Sequence, residues 1–377
     1  MLSNCATWRN LTAKNEIGKR FAKRRECLLF YGEVSSNGGM EVSRLTFFRF
    51  IVVFLSIAPL MQDSATAWDV DGHELVAAMA YSRLNPKAQQ AVANFAREMQ
   101  TPDQPYDAIT IACWMDDLRK NNPSMPYHGL FLSWHFIDLG IEAGDPQPSW
   151  DPGDDNEIHG NVVQALKRAL VVLKGGSDPY VKTRAMACAM VMHLVADIHQ
   201  PLHAATHYFR SGGFLHHDAG GNKEEVVNGP VEDSKFNLHA FWDSAWRASF
   251  DEASGRVILD ERYQDRGAHD PTVVLHLAEI LVKQSPSPNI DLETHIDEWA
   301  RESNQLARDF VYREVTATES PKYCRLSSGY VAKANVMAQQ RLVLAASRLV
   351  VLLNNTLGAE GVANPPPSYP PGPPSFQ

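Results

Sequence analysis

In the stretch MHLVADIHQPLH, His193 and Asp197 stand four residues apart in an otherwise apolar helical pattern, and His203 follows just past Pro201. On a helix that spacing puts an imidazole and a carboxylate on one face, where both can meet one ion. The same spacing recurs in NLHAFWDSAW with His239 and Asp243. A His and an Asp at this distance ordinarily form a hydrogen-bonded pair. Two such pairs in apolar helices weigh more, because a lone polar side chain is costly to bury. Asp116 in ACWMDD, His135 in SWHFID and His73 on the first turn of HELVAAMAY add three ligand-type residues in apolar surroundings. Imidazole with carboxylate, and no thiolate, suits Zn²⁺ at a hydrolytic site rather than a cysteine-based structural one. Eight such side chains are too many for one tetrahedral zinc and about right for a cluster, with Asp197 placed to bridge two ions.

The elements that must hold these groups read as helices from residue 68 onward. Apolar residues recur at three- and four-residue steps over 73–84, 86–99, 108–120, 161–174, 181–200, 236–250, 271–284, 292–315 and 330–357. Alternating strand patterns are scarce and no long repeat appears. Loops rich in Gly and Pro interrupt the helices at 144–155 and 211–221. The expectation is one all-α domain over residues 68–357, followed by a Pro-rich extended tail over 358–377.

Length, charge and the amino-terminal segment narrow the setting. The chain has 377 residues, 44% hydrophobic and 21% charged, enough to bury a core. The first 67 residues hold nine of the 35 Lys and Arg and five of the 44 Asp and Glu, so the remainder carries a formal charge of −13. That is the wrong sign for holding nucleic acid on a broad basic surface, so phosphate chemistry would need bound cations. Residues 40–67 have the layout of an export signal: Arg44 and Arg49, an apolar run over 50–61, and Ala65-Thr66-Ala67 as a small-residue cleavage site before Trp68. The run is too short for a permanent membrane anchor. The protein is therefore expected to be secreted or periplasmic, with translation starting at Met40 and residues 1–39 a non-native extension. Cys113, Cys188 and Cys324 remain after cleavage, an odd number that gives no disulfide framework.

The ordered motifs WDVDGHE, ACWMDDLR, SWHFID, MHLVADIHQPLH, GGNK and NLHAFWD resemble the zinc-dependent single-strand nucleases, the S-one and P-one type enzymes of fungi with their plant and bacterial relatives. The resemblance implies an all-α fold, three zinc ions, and cleavage of single-stranded DNA, RNA and 3′-nucleotides to 5′-phosphates. It assigns Asp116, His135, His193 and Asp197 to one ion. Asp197, His73 and the amino and carbonyl groups of Trp68 go to its close neighbour, and His203, His239 and Asp243 to the third. Trp68 would then be a ligand through its own backbone, available only after cleavage. Two-metal chemistry activates water for in-line attack on phosphorus, and a cation stabilises the developing charge. By resemblance that cation is Arg119, acting beside Asp116, while Phe136 stacks on and Asp138 hydrogen-bonds the base; Asn222 in GGNK reaches the substrate pocket. His199 receives no ligand role. Asp69 departs from the glycine that follows the amino-terminal Trp in fungal relatives, adding negative charge near the close pair. The chain is expected to act as a monomer. A zinc phospholipase C, also helical with three zincs and an amino-terminal Trp, and a non-catalytic zinc-storing exported protein are the competing readings.

Overall fold

Two helices, α1 (Val70–Tyr81) and α6 (Arg184–Asp197), lie inside, mostly apolar but for the His, Asp and Glu residues they bury. Each residue from Ala185 to Asp197 is buried, as is each from Val70 to Ala80. The computed structural model describes residues 68–101, 105–121, 128–148, 160–211, 213–230, 233, 236–262, 271–284, 295–317 and 323–358, with only the backbone at 119–121, 128–130 and 271. The chain falls spatially into two units, 1–59 and 60–377, and all described residues belong to the second. The expected leader and amino-terminal extension lie outside the described residues, as does the tail beyond Gly358.

Around the two inner helices the described residues form α2 (Pro86–Glu98), α3 (Trp114–Asn121), α4 (His128–Ser133), α5 (Val162–Leu173), α7 (Leu238–Ser244), α8 (Pro271–Gln284), α9 (Ile296–Leu306) and α10 (Ser328–Leu357). α6 packs against α5, α2, α10, α3 and α1, and α1 is covered on its other side by α8 and α10. Helix starts follow their capping residues. Asp69, Asn85, Asn161, Thr183, Asn237 and Ser327 each accept a backbone N–H of the first turn through the side chain.

The fold is mostly helical, as expected, but short strands occur where no period-two pattern marks them. β1 (Tyr208–Ser211) and β2 (Phe214–His217) form an antiparallel hairpin that starts before 211–221, the segment expected to be a Gly-rich loop, and runs into it. β3 (Glu225–Val226) pairs in parallel with β7 (Tyr323–Arg325), which also pairs with β6 (Thr316–Ala317). β4 (Ala248–Asp251) pairs with β5 (Arg256–Leu259), so residues 248–250, expected to continue a helix, are a strand instead. The helical pattern had a physical basis there, because Ala245 and Trp246 are buried on a 3₁₀ turn that directly extends α7.

Candidate metal centre

α6 ends at Asp197 because the chain soon reaches Pro201, which starts a single 3₁₀ turn over Pro201–Ala204 and so sets His203 beside the end of the helix. Carbonyls left open at this turn are taken up from outside: Ser303 donates to Ile198 O at 2.6 Å, Asn304 to Ala204 O at 3.1 Å and Arg341 to His199 O at 3.0 Å. Two long helices therefore fix the segment from His193 to His203. α1 brings His73, α3 brings Asp116 in its first turn, the segment after α4 brings His135, and α7 brings His239 and Asp243.

These side chains meet in three groups: His73, His193 and Asp197; Asp116, His135 and His193; and His203, His239 and Asp243. All are buried. In the first two, which share His193, the distances are short. Asp197 Oδ1 lies 3.4 Å from His73 Nε2, and Asp197 Oδ2 lies 3.1 Å from His135 Nδ1 and 3.2 Å from His193 Nε2. Asp116 Oδ1 stands 3.9 Å from His193 Nε2 and 4.0 Å from His135 Nδ1. The His73 and His193 rings stack with centroids 3.9 Å apart. In the third group His203 Nε2 and His239 Nε2 approach to 3.1 Å, with Asp243 at 3.9 and 3.7 Å from them.

Backbone carbonyls decide which nitrogen each ring turns inward. His193 Nδ1 donates to Ala112 O, His203 Nδ1 to His135 O, and His239 Nδ1 to Gly220 O, each at 2.7 Å. Their Nε2 atoms then carry lone pairs, and those of His203 and His239 face one another. Two neutral imidazoles arranged this way repel unless a cation sits between them, and a carbonyl on the far nitrogen is how metal-binding histidines are held. Charge points the same way. Asp71, Glu74, Asp116, Asp117, Asp197 and Asp243 are all buried in the elements that carry these groups. Burial pushes the Asp243 carboxyl well above the usual range, and the charges of Asp69, Asp116 and Asp197 add to it against a hydrogen bond from Gln200. For His193 burial pulls downward, but Asp197 and Asp116 outweigh it and hold the imidazole up at about 9. So concentrated a negative site would be offset by cations, with protons competing for the same donors. The donor set fits divalent metal.

Trp68 is fully buried and its indole donates to Ala196 O at 2.9 Å, so the residue sits against the last turn of α6 beside Asp197. Asp69 is tied elsewhere. It caps α1 through Gly72 N at 3.0 Å and accepts from Trp246 at 2.9 Å and Arg247 at 2.7 Å. The charge expected to burden the close pair is thus matched by Arg247. Arg119 lies on α3 one turn after Asp116, and its side chain lies outside the described residues. Phe136 and Asp138 are half-buried beyond His135, so Phe136 is not plain core. Burial raises the Asp138 carboxyl to about 6, and Asp218 adds to this while Lys223 opposes it. Asn222 is half-buried, with Nδ2 on Ala219 O at 2.8 Å. His199 stays out of the metal groups, as expected: Nδ1 donates to Val195 O and Nε2 accepts from Arg348 at 2.8 Å.

Sequence reasoning passed over Asp218. It is buried and accepts from Thr206 Oγ1, His207 N, Gly220 N, Gly221 N and Tyr312 Oη, the last at 2.7 Å. These bonds hold Ala219, Gly220 and Gly221 at φ of 56°, 62° and 81°, and that turn aims Gly220 O at His239. A Cβ on Gly220 would come within 2.7 Å of Leu202 O. Gln200 was also missed; its Nε2 donates to Asp243 Oδ1 at 2.7 Å. The one available signal was Asp before Gly-Gly, a turn signature.

Fold and site together define a helical core that carries three buried His/Asp groups able to hold metal ions. The chain belongs to the S1/P1 nuclease family, whose model matches residues 68–358. It is similar to Endonuclease 3 of Arabidopsis thaliana, at 23% identity over 320 residues that span 83% of this chain and 96% of that protein. Endonuclease 2 of the same plant is 25% identical over 301 residues, 77% of this chain and 91% of the relative. The chain is a nuclease, hydrolysing phosphodiester bonds.

Proposed function

We propose that this nuclease is exported, binds three zinc ions, and cleaves single-stranded DNA, RNA and 3′-nucleotides to leave 5′-phosphates. The observation that carries the reading is the convergence of three buried His/Asp groups whose inward nitrogens are set by carbonyl acceptors. Asp116, His135, His193 and Asp197 would hold one ion. Asp197, His73 and the amino and carbonyl groups of Trp68 would hold its neighbour, and His203, His239 and Asp243 the third. Bound zinc would supply Lewis acidity and activate water near neutral pH.

The chain's own residues orient the rest. Asp197 turns one oxygen to His73 and the other to His135 and His193, which suits a carboxylate shared by two ions. Arg119, on the helix that carries Asp116, is assigned to the charge that develops on the phosphoryl oxygens. Half-buried Phe136 offers a face for one base, and a base already paired in a duplex has no face to give. Asp138 and Asn222 supply polar contacts beside it. The leader pattern of residues 40–67 carries the reading that the chain is cleaved after Ala67.

The test is a substrate panel: purified protein with zinc on single-stranded DNA, duplex DNA, RNA, 3′-AMP and phosphatidylcholine. Hydrolysis of the first, third and fourth, with duplex much slower, is expected. Phosphocholine release without nucleotide release would assign the chain to phospholipase chemistry instead, and zinc binding with no hydrolysis to storage.

A further inference from the structure

The β1–β2 hairpin is exposed on both faces. The two exposed phenylalanines among the described residues are both on it, Phe214 at 73% and Phe209 at 37% exposure. Cross-strand partners share a face. Phe209 pairs with His216 and Ser211 with Phe214, so three rings line one side, and the Phe209 and His216 rings stack at 5.7 Å. Tyr208 with His217 and Arg210 with Leu215 line the other. A ribbon that buries neither face gains little by carrying large apolar rings, and soluble surfaces that keep such rings usually bind something.

The hairpin grows directly out of the metal centre. Asp218, which shapes the turn that orients His239, follows β2, and His207 just before β1 packs on Tyr312, which donates to Asp218. Thr206, two residues before β1, bridges to Gly140 and donates its N–H to Leu139 O at 2.9 Å, which sets the hairpin's root near Asp138. Charge complements this placement. In a domain of formal charge −13, residues 198–217 contain no acidic side chain, and the exposed hairpin within them carries Arg210. Those three rings lie on one face and Arg210 on the other, so the ribbon offers a single strand a stacking surface and, around its edge, a cation for a phosphate.

We propose that the hairpin is a second nucleic-acid contact: bases flanking the cleaved phosphate stack on Phe209 and Phe214, and Arg210 holds a backbone phosphate. The inference rests on the single-strand nuclease reading and adds that the enzyme discriminates by strand length. The variants Phe209→Ala/Phe214→Ala and Arg210→Ala are compared with the unaltered zinc-loaded protein on a DNA strand of about twelve nucleotides and on a dinucleotide. The double variant should raise KM for the long strand roughly ten-fold or more while shifting the dinucleotide by no more than about two-fold. Arg210→Ala should flatten the dependence of long-strand affinity on log salt by about 0.7. Equal effects on both substrates, or no effect on either, would overturn the inference. So would loss of binding to phosphatidylserine vesicles with strand kinetics unchanged, which would assign the patch to a lipid surface. An unaltered protein that cleaves neither substrate removes the single-strand reading itself, and the hairpin inference with it.

Discussion

Asp197 presents different oxygens to different imidazoles, and no other carboxylate of the site does so at such short range. Replacing it with Asn keeps the shape and removes the charge that would offset two ions. Asp197→Asn is expected to lose most activity and also bind less zinc, measured as metal per chain by elemental analysis. Arg119→Ala should separate the two effects, keeping zinc while kcat falls about 100-fold, as expected when a contact to the transition state alone is lost. An Asp197→Asn protein with three zincs and normal turnover would contradict the bridging role. His193, Asp197, His239 and Asp243 were legible because a ligand pair on a helix leaves a four-residue spacing. Asp218 was not, because it acts through the backbone of the turn that follows it. Its part in the site depends on three consecutive residues at positive φ, one of them Ala219.

At the scale of elements, helices with a buried stripe wrote themselves into the sequence as three- and four-residue steps, and α8 matches its expected bounds. The hairpin did not, because alternation marks a strand with one face buried, and both its faces are exposed. Residues 248–250 read as helix because the buried Trp246 and Ala248 continue a pattern that belongs to α7 and its 3₁₀ extension. The start of α1 gives a direct test of how an element is placed. Asp69 caps the helix and also binds Trp246 and Arg247, so one side chain joins the helix that carries His73 to the segment after α7. Asp69→Ala removes the cap and leaves the Arg247 guanidinium, itself mostly buried, without this carboxylate. The metal-free protein should lose about 2 kcal/mol of stability to urea unfolding. A loss under about 0.5 kcal/mol would show that the junction is held by packing alone.

For the whole molecule, the proposed export leader and the proposed metal centre meet at one residue, Trp68. If the Trp68 α-amine binds zinc, it must be free and neutral; its ordinary pKa is near 8, and metal would displace the proton at lower pH. Cytoplasmic protein carrying Met or a tag before Trp68 should therefore hold less zinc and be largely inactive, whereas exported protein should begin at Trp68 by amino-terminal sequencing. Equal zinc content and equal specific activity in the two preparations would leave His73 and Asp197 to hold that ion. The central claim is that a net-negative, buried His/Asp cluster becomes a nuclease only with its metal. Protein beginning at Trp68 is measured for zinc per chain by elemental analysis and for single-stranded DNA hydrolysis, before chelation, after it, and during zinc return. The expected result is three zincs per chain, loss of hydrolysis with their removal, and recovery of both together. Full hydrolysis by the metal-free protein would contradict it.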